Sequence, residues 1–147
     1  MDIVKLNLLG ACVAIIILVA SCLVFVFRLS NHQTAEYWAG VVILLTAIPL
    51  IYLIYASLPM KRPTLYYVQL GLMIGFILLE LVLDYLLKVD FRHTKWMVIS
   101  YVTIFFASTG GMIGVASQAG RTWAIAAVIL FLVMTALAFW QRAKTGL

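Results

Sequence analysis

The chain has 147 residues, 66% of them hydrophobic and only 10% charged, with a net charge of +5. A soluble domain is about half apolar and about a quarter charged, so these charges cannot cover a water-facing surface and lipid must solvate most of the chain. The basic residues stand singly or in pairs between apolar runs, as membrane anchors do, which excludes nucleic acid as a partner. The length leaves room for a single transmembrane domain over residues 1–147 and for no separate soluble module.

About 20 apolar residues cross the hydrocarbon core of a bilayer. Five runs reach that length, at residues 8–27, 38–56, 65–87, 96–117 and 123–140. An odd number of crossings puts the termini on opposite sides, here called side A for the N-terminus and side B for the C-terminus. The first run holds both cysteines, Cys12 and Cys22. On one helix they stand about 15 Å apart along the axis, too far for a mutual disulfide. "VASC" at 19–22 resembles a lipoprotein cleavage site, but the apolar "LVFVF" that follows predicts an uncleaved helix. "RLSNHQTAEY" then leads on side B to the second run. There Pro49 in "TAIPLIY" removes a backbone hydrogen bond and predicts a kink, either as packing geometry or as a hinge beside a cavity.

"SLPMKRPT" returns on side A, with Pro59 and Pro63 as breakers. The third run carries Gly71 and Gly75 on one face and Glu80, Asp84 and Lys88 on the other. "KVDFRHTK" joins it on side B to the fourth run, where Ser100, Thr103, Ala107, Gly110, Gly111, Gly114, Ser117 and Gln118 share one helical face. That stripe is readable as a close-packing seam or as a cavity wall. "STGGMIG" within it is no phosphate loop, since it lacks a Walker lysine and sits mid-span. "QAGRT" leads on side A to the fifth run, with Gly120 suited to a helix C-cap.

Short connections make sequential helices antiparallel, so the expected fold is an all-α, five-helix up-down bundle in the membrane. Trp38, Trp96 and Trp140 fall at side-B ends and Trp123 at a side-A end, with Tyr55, Tyr66 and Tyr67 also near side A. This is the interfacial belt of such a bundle. Side A holds Lys5, Lys61, Arg62 and Arg121; side B holds Arg28, Lys88, Arg92, Lys95, Arg142 and Lys144. Under the positive-inside rule this excess of two assigns the C-terminus to the cytoplasm.

The carboxylates of the third run raise the functional question. With a rise of 1.5 Å per residue, Glu80 lies roughly 6 Å and Asp84 roughly 12 Å from the middle of the span. A charge near the bilayer centre costs about 2.5–3.5 kcal/mol on insertion scales, so both acids must face protein or a wet cavity. Glu80, Asp84 and Lys88 are successive i, i+4 neighbours on a face that Gln69 and Met73 continue. Lys88 is placed to neutralise Asp84, but stands about 12 Å along the axis from Glu80. Gly75 points about 180° away from Asp84, and small residues admit a close neighbour. With protein on both faces, this third helix is expected at the centre of the bundle.

Depth extends the candidate site. Glu80 is level with Ser21, Thr103 and Thr135, and Asp84 with Ser100, while Thr46 is near the middle of its span. Turned inward, these side chains form a polar pocket opening to side B, with Arg28, His32, Glu36, Lys88, Asp90, Arg92 and His93 at its rim. The alternative is that each hydroxyl bonds its own helix backbone.

Both histidines fall in loops, so the spans offer haem no axial ligand, and the ligand set is too sparse for zinc. No metal or other cofactor is expected. Glu80 and Asp84 have the spacing of an acid/base pair but no accompanying nucleophile or substrate signature, and no catalytic residue is assigned. Three functions remain open. The first is binding or translocation of a proton, a cation, or a cationic or lipid-like small molecule through Glu80 and Asp84. The second is a non-catalytic accessory or assembly subunit, as a homo-oligomer or with a membrane partner. The third is an intramembrane enzyme on a lipid-like substrate, with His93 as its candidate loop residue.

Overall fold

The computed structural model describes residues 2–87 and 94–145, and these are helical apart from short turns. Helix α1 runs Ile3–Leu29, capped by Asp2, whose carboxylate accepts from the Lys5 amide at 2.9 Å. After a turn with Asn31 at φ 58°, α2 covers Gln33–Leu45 and α3 covers Ala47–Ser57. A 3₁₀ turn at Leu58–Met60 and a left-handed Lys61 lead into α4, Thr64–Glu80. A π-helical segment, Leu81–Leu86, follows directly. Helices α5, Lys95–Ser117, and α6, Arg121–Thr145, complete the chain, with Gly120 at φ +141° in the turn between them.

Five helical stretches are long and apolar enough to cross a membrane: Ile3–Leu29, Gln33–Met60, Thr64–Leu86, Lys95–Ser117 and Arg121–Lys144. Each begins between one and five residues before the apolar run that announced it, because polar interfacial side chains such as Lys5, Gln33 and Lys95 continue the helix. The second stretch is interrupted at Thr46, one turn before Pro49. Proline has no amide hydrogen and its ring crowds the carbonyl four residues back, here that of Leu45. At the interruption the Thr46 amide reaches both the Val42 and Ile43 carbonyls, and its hydroxyl also donates to Ile43.

The centre of the assembly is α1, which corrects the expectation that the third span would hold that place. In α1, 44% of the most apolar stretch is buried inside the chain, against 28% in the third span. Helix α1 packs against α2, α3, α5 and α6, while α4 packs chiefly against α5. Small side chains explain the difference. Gly10, Ala11, Ala14 and Ser21 are buried on α1, and a Cβ at Gly10 would already stand 3.0 Å from Val115 of α5. Gly71 and Gly75 do not pack against a helix of the same chain: nothing in it lies within 4 Å of where their Cβ atoms would be. Their face of α4 looks away from the rest of the chain. On the opposite flank Gln69 lies on the backbone of Gly111 and Gly114, so this part of the fourth span's small-residue stripe forms an α4–α5 seam. A Cβ at Gly110 would meet the edge of the Phe131 ring, at an ordinary 3.9 Å.

Candidate functional site

Glu80 is the last residue of α4, and its Oε1 accepts a hydrogen bond of 2.9 Å from the Tyr101 hydroxyl of α5. One turn earlier on α4, Phe76 is 2% exposed and lies 5.4 Å from the Tyr101 ring and 5.3 Å from that of Phe105. The i, i+4 spacing thus puts an aromatic and a carboxylate on one face of α4, and two aromatics opposite on α5. Phe25 of α1 closes the group, edge-on to Phe105 at 5.8 Å.

Beyond Glu80 the helix widens. The Leu87 amide bonds the Val82 carbonyl, five residues back, at 2.9 Å. This π turn replaces the regular i, i+4 ladder expected from Glu80 through Asp84, since an extra residue enters the turn. Asp84 still borders the same cavity as Glu80. The wider turn also presents Tyr85 to α2, where its ring lies 5.4 Å from that of Tyr37 and its hydroxyl donates to the Tyr37 carbonyl at 3.4 Å. Gly40 makes room for this: a Cβ there would overlap the Tyr85 hydroxyl.

Two cavities meet at Glu80. One, of about 110 Å³, is walled mainly by Phe25, Phe76, Tyr101, Phe105, Phe106 and Phe139, with Ser21, Gln141 and Arg142 among its polar borders. The other, of about 540 Å³, has a mixed polar and apolar lining, and its wall includes Glu36, Glu80, Asp84, Tyr37 and Tyr85. Its rim residues Gln33 and Tyr37 are exposed. Val24, Arg28 and Glu80 border both spaces. Arg28 is paired to Glu36 at 2.7 Å, with the two side chains 23% and 26% exposed, and its guanidinium stands 5.9 Å over the Phe25 ring.

Other expected members are placed differently. Ser21 borders the aromatic cavity but donates to the Ile17 carbonyl at 2.8 Å. Thr103 and Ser100 are exposed on α5, and Thr103 bonds the Ile99 carbonyl at 2.8 Å. Thr135 bonds Phe131, and Thr46 bonds Ile43. The inward polar layer is therefore not assembled: Ser21, Thr46, Thr103 and Thr135 each turn to a carbonyl three or four residues back on their own helix, and Ser100 is exposed. His32 is exposed beside Ser30, at 2.9 Å. Lys88, Asp90, Arg92 and His93 lie outside the described residues. Among the described residues no three histidine, cysteine or acidic side chains gather as a metal site.

Tyr101, Phe76 and Gly40 were not singled out in the sequence. The i, i+4 pairs Phe76–Glu80 and Tyr101–Phe105 were the available signal. Comparison of the chain with protein-family models, curated proteins and solved structures finds no match.

Proposed function

We propose that the chain is a multi-pass membrane protein whose five spans run up and down as one transmembrane bundle, and that it binds a cation at Glu80. One observation carries this reading. Among the described residues, the side chains of Glu36, Glu80 and Asp84 border a single cavity together with that of Arg28. A cleft bordered by several carboxylates focuses a negative potential, which draws in a cation. Tyr101 fixes the direction of the Glu80 carboxylate, so the acid is aimed before any ligand arrives. The exposed Gln33 and Tyr37 give the cavity its way in from side B.

The test is calorimetric titration of the full chain in lipid nanodiscs with methylammonium, before and after Glu80→Gln. Removing one partner of a partly desolvated charge pair costs about 2–5 kcal/mol, so affinity should fall at least about tenfold. Equal affinity in both proteins contradicts the reading.

A second reading, a non-catalytic accessory subunit, is favoured by the uncovered small-residue face at Gly71 and Gly75. Such a face admits a partner helix or a second copy closely. Gly75→Leu should then abolish copurification or self-association in mild detergent while leaving methylammonium binding intact.

A further inference from the structure

The aromatic cavity is an elongated space whose two ends differ. Val98, Val102 and Phe106 border it at four-residue spacing along α5, so it extends over about two turns, or roughly 12 Å, of that helix. Toward the middle of the spans its borders are rings, those of Phe76, Phe105 and Phe106. Its outer end lies at side B, where Arg28 and Arg142 border it from the last turns of α1 and α6. Val102 and Phe139 line the cavity and are also 37% and 65% exposed, which places an opening between α5 and α6. In the proposed bundle that opening faces lipid.

We infer that this cavity takes an anionic amphipath from the bilayer, a carboxylate carried on one ring or on a chain of similar bulk, with its head at Arg142 and its body against the inner rings. This site is separate from the cation site of the proposed function, whose ligand occupies the other cavity. Size sets the first limit. A dry apolar cavity of roughly 150 Å³ takes benzene, so about 110 Å³ admits one ring with slight adjustment and excludes fused rings. The lining sets the second. Aromatic walls meet a ring in edge-on and offset arrangements, as Phe25, Phe76 and Phe105 already meet one another. Charge at the outer end sets the third. A cationic head there would meet two guanidiniums, whereas a carboxylate meets them with opposite sign. Arg28 is shared with Glu36 at 2.7 Å, and among the described residues no carboxylate stands within ion-pair distance of Arg142. A guanidinium fork matches a carboxylate through two parallel hydrogen bonds. Glu80 borders the cavity deeper in, where it accepts from Tyr101, six residues or about 9 Å along α5 from its side-B start. The head therefore lies nearer the guanidiniums than that carboxylate. An arginine at a helix end ordinarily does no more than reach the membrane surface. Here an apolar chamber of ligand size lies directly behind it.

The experiment compares four probes on the full chain in nanodiscs of neutral lipid by calorimetry, with protein-free nanodiscs as the blank: 3-phenylpropionate, 3-phenylpropanol, 3-phenylpropylammonium and acetate. The expected result is that 3-phenylpropionate binds at least tenfold more tightly than each of the other three. Arg142 is exposed in the last turn of α6, so the fold tolerates its exchange. Arg142→Gln should weaken 3-phenylpropionate at least tenfold and leave 3-phenylpropanol unchanged. Val102→Phe fills the opening and should bring 3-phenylpropionate down to the level of acetate. Ala138→Phe is the second filling variant should the first not fold. Equal binding of acid and alcohol, or acid binding indifferent to Arg142→Gln, leaves Arg142 an ordinary interfacial residue and overturns the inference. Acid binding that survives the filling variants lies outside the cavity and overturns it too. Tightest binding of 3-phenylpropylammonium assigns the chamber to a cation, and absence of binding by all four probes leaves it without a ligand of this class; either result overturns the inference.

Discussion

Gly40 and Tyr85 show how closely single residues set this site. A Cβ at position 40 would overlap the Tyr85 hydroxyl, while the Tyr85 ring carbon behind it stays at an ordinary 3.5 Å. Gly40→Ala should therefore lower stability by about 1–3 kcal/mol, as overpacking does. The same exchange in a Tyr85→Phe background should be neutral or stabilising, since alanine gains up to about 1 kcal/mol over glycine in a helix. Thermal unfolding of the single and double variants in detergent decides it; equal losses in both backgrounds contradict the contact. Arg28 offers a second test at this scale. It holds Glu36 at 2.7 Å and borders both cavities. Arg28→Met frees that carboxylate, and methylammonium affinity should rise severalfold in calorimetry; a fall in affinity instead makes Arg28 part of the binding geometry. Glu80 was legible as a candidate because an acid in an apolar run has a stated cost. Tyr101 was not, since an aromatic in an apolar helix reads as ordinary core until the facing residue is known. For Thr103 and Thr135 the sequence left pocket and own-backbone bonding both open, because a hydroxyl's own backbone carbonyl is always within reach, and both hydroxyls bond the backbone.

Among the helices, the informative contrast lies between two faces of α4. Gln69 rests on Gly111 and Gly114 of α5, whereas Gly71 and Gly75 meet nothing. A Cβ at Gly114 would overlap the Gln69 amide, the far end of a flexible side chain. Gly114→Ala should cost roughly 1 kcal/mol, and Gln69→Ala should relieve most of it. Gly71→Ala and Gly75→Ala should instead be neutral or slightly stabilising in the monomer, by helix propensity. Chemical-denaturant or thermal unfolding in micelles reads all four; a loss at Gly71 comparable with Gly114 contradicts the assigned faces. The five spans themselves were legible, because runs of apolar residues about 20 long have few other uses. Their arrangement was not. Small residues mark where a neighbour fits, but Gly71 and Gly75 carry no sign of whether that neighbour belongs to the same chain. The π segment at Leu81–Leu86 also has no residue signature, so the regular i, i+4 ladder was the natural expectation for Asp84.

For the whole molecule, the proposed up-down course makes a prediction independent of the site. With Cys12 and Cys22 replaced by alanine, single cysteines at Ser30 and Thr94 should react with an impermeant maleimide from one side of sealed vesicles. Single cysteines at Pro59 and Thr122 should react from the other. Labelling of Ser30→Cys and Pro59→Cys from the same side contradicts the alternation. The same vesicles resolve which side faces the cytoplasm, where charge counting separates the sides by only two residues.

At this scale the proposed function depends on one carboxylate at the junction of an aromatic cavity and a cavity bordered by three acids. The most direct measurement is the infrared difference spectrum of the full chain in nanodiscs on adding methylammonium, recorded for the wild-type protein and for Glu80→Gln. The account predicts a change in the carboxylate stretching region for the wild-type chain that the variant lacks. The same carboxylate change in both proteins would contradict it.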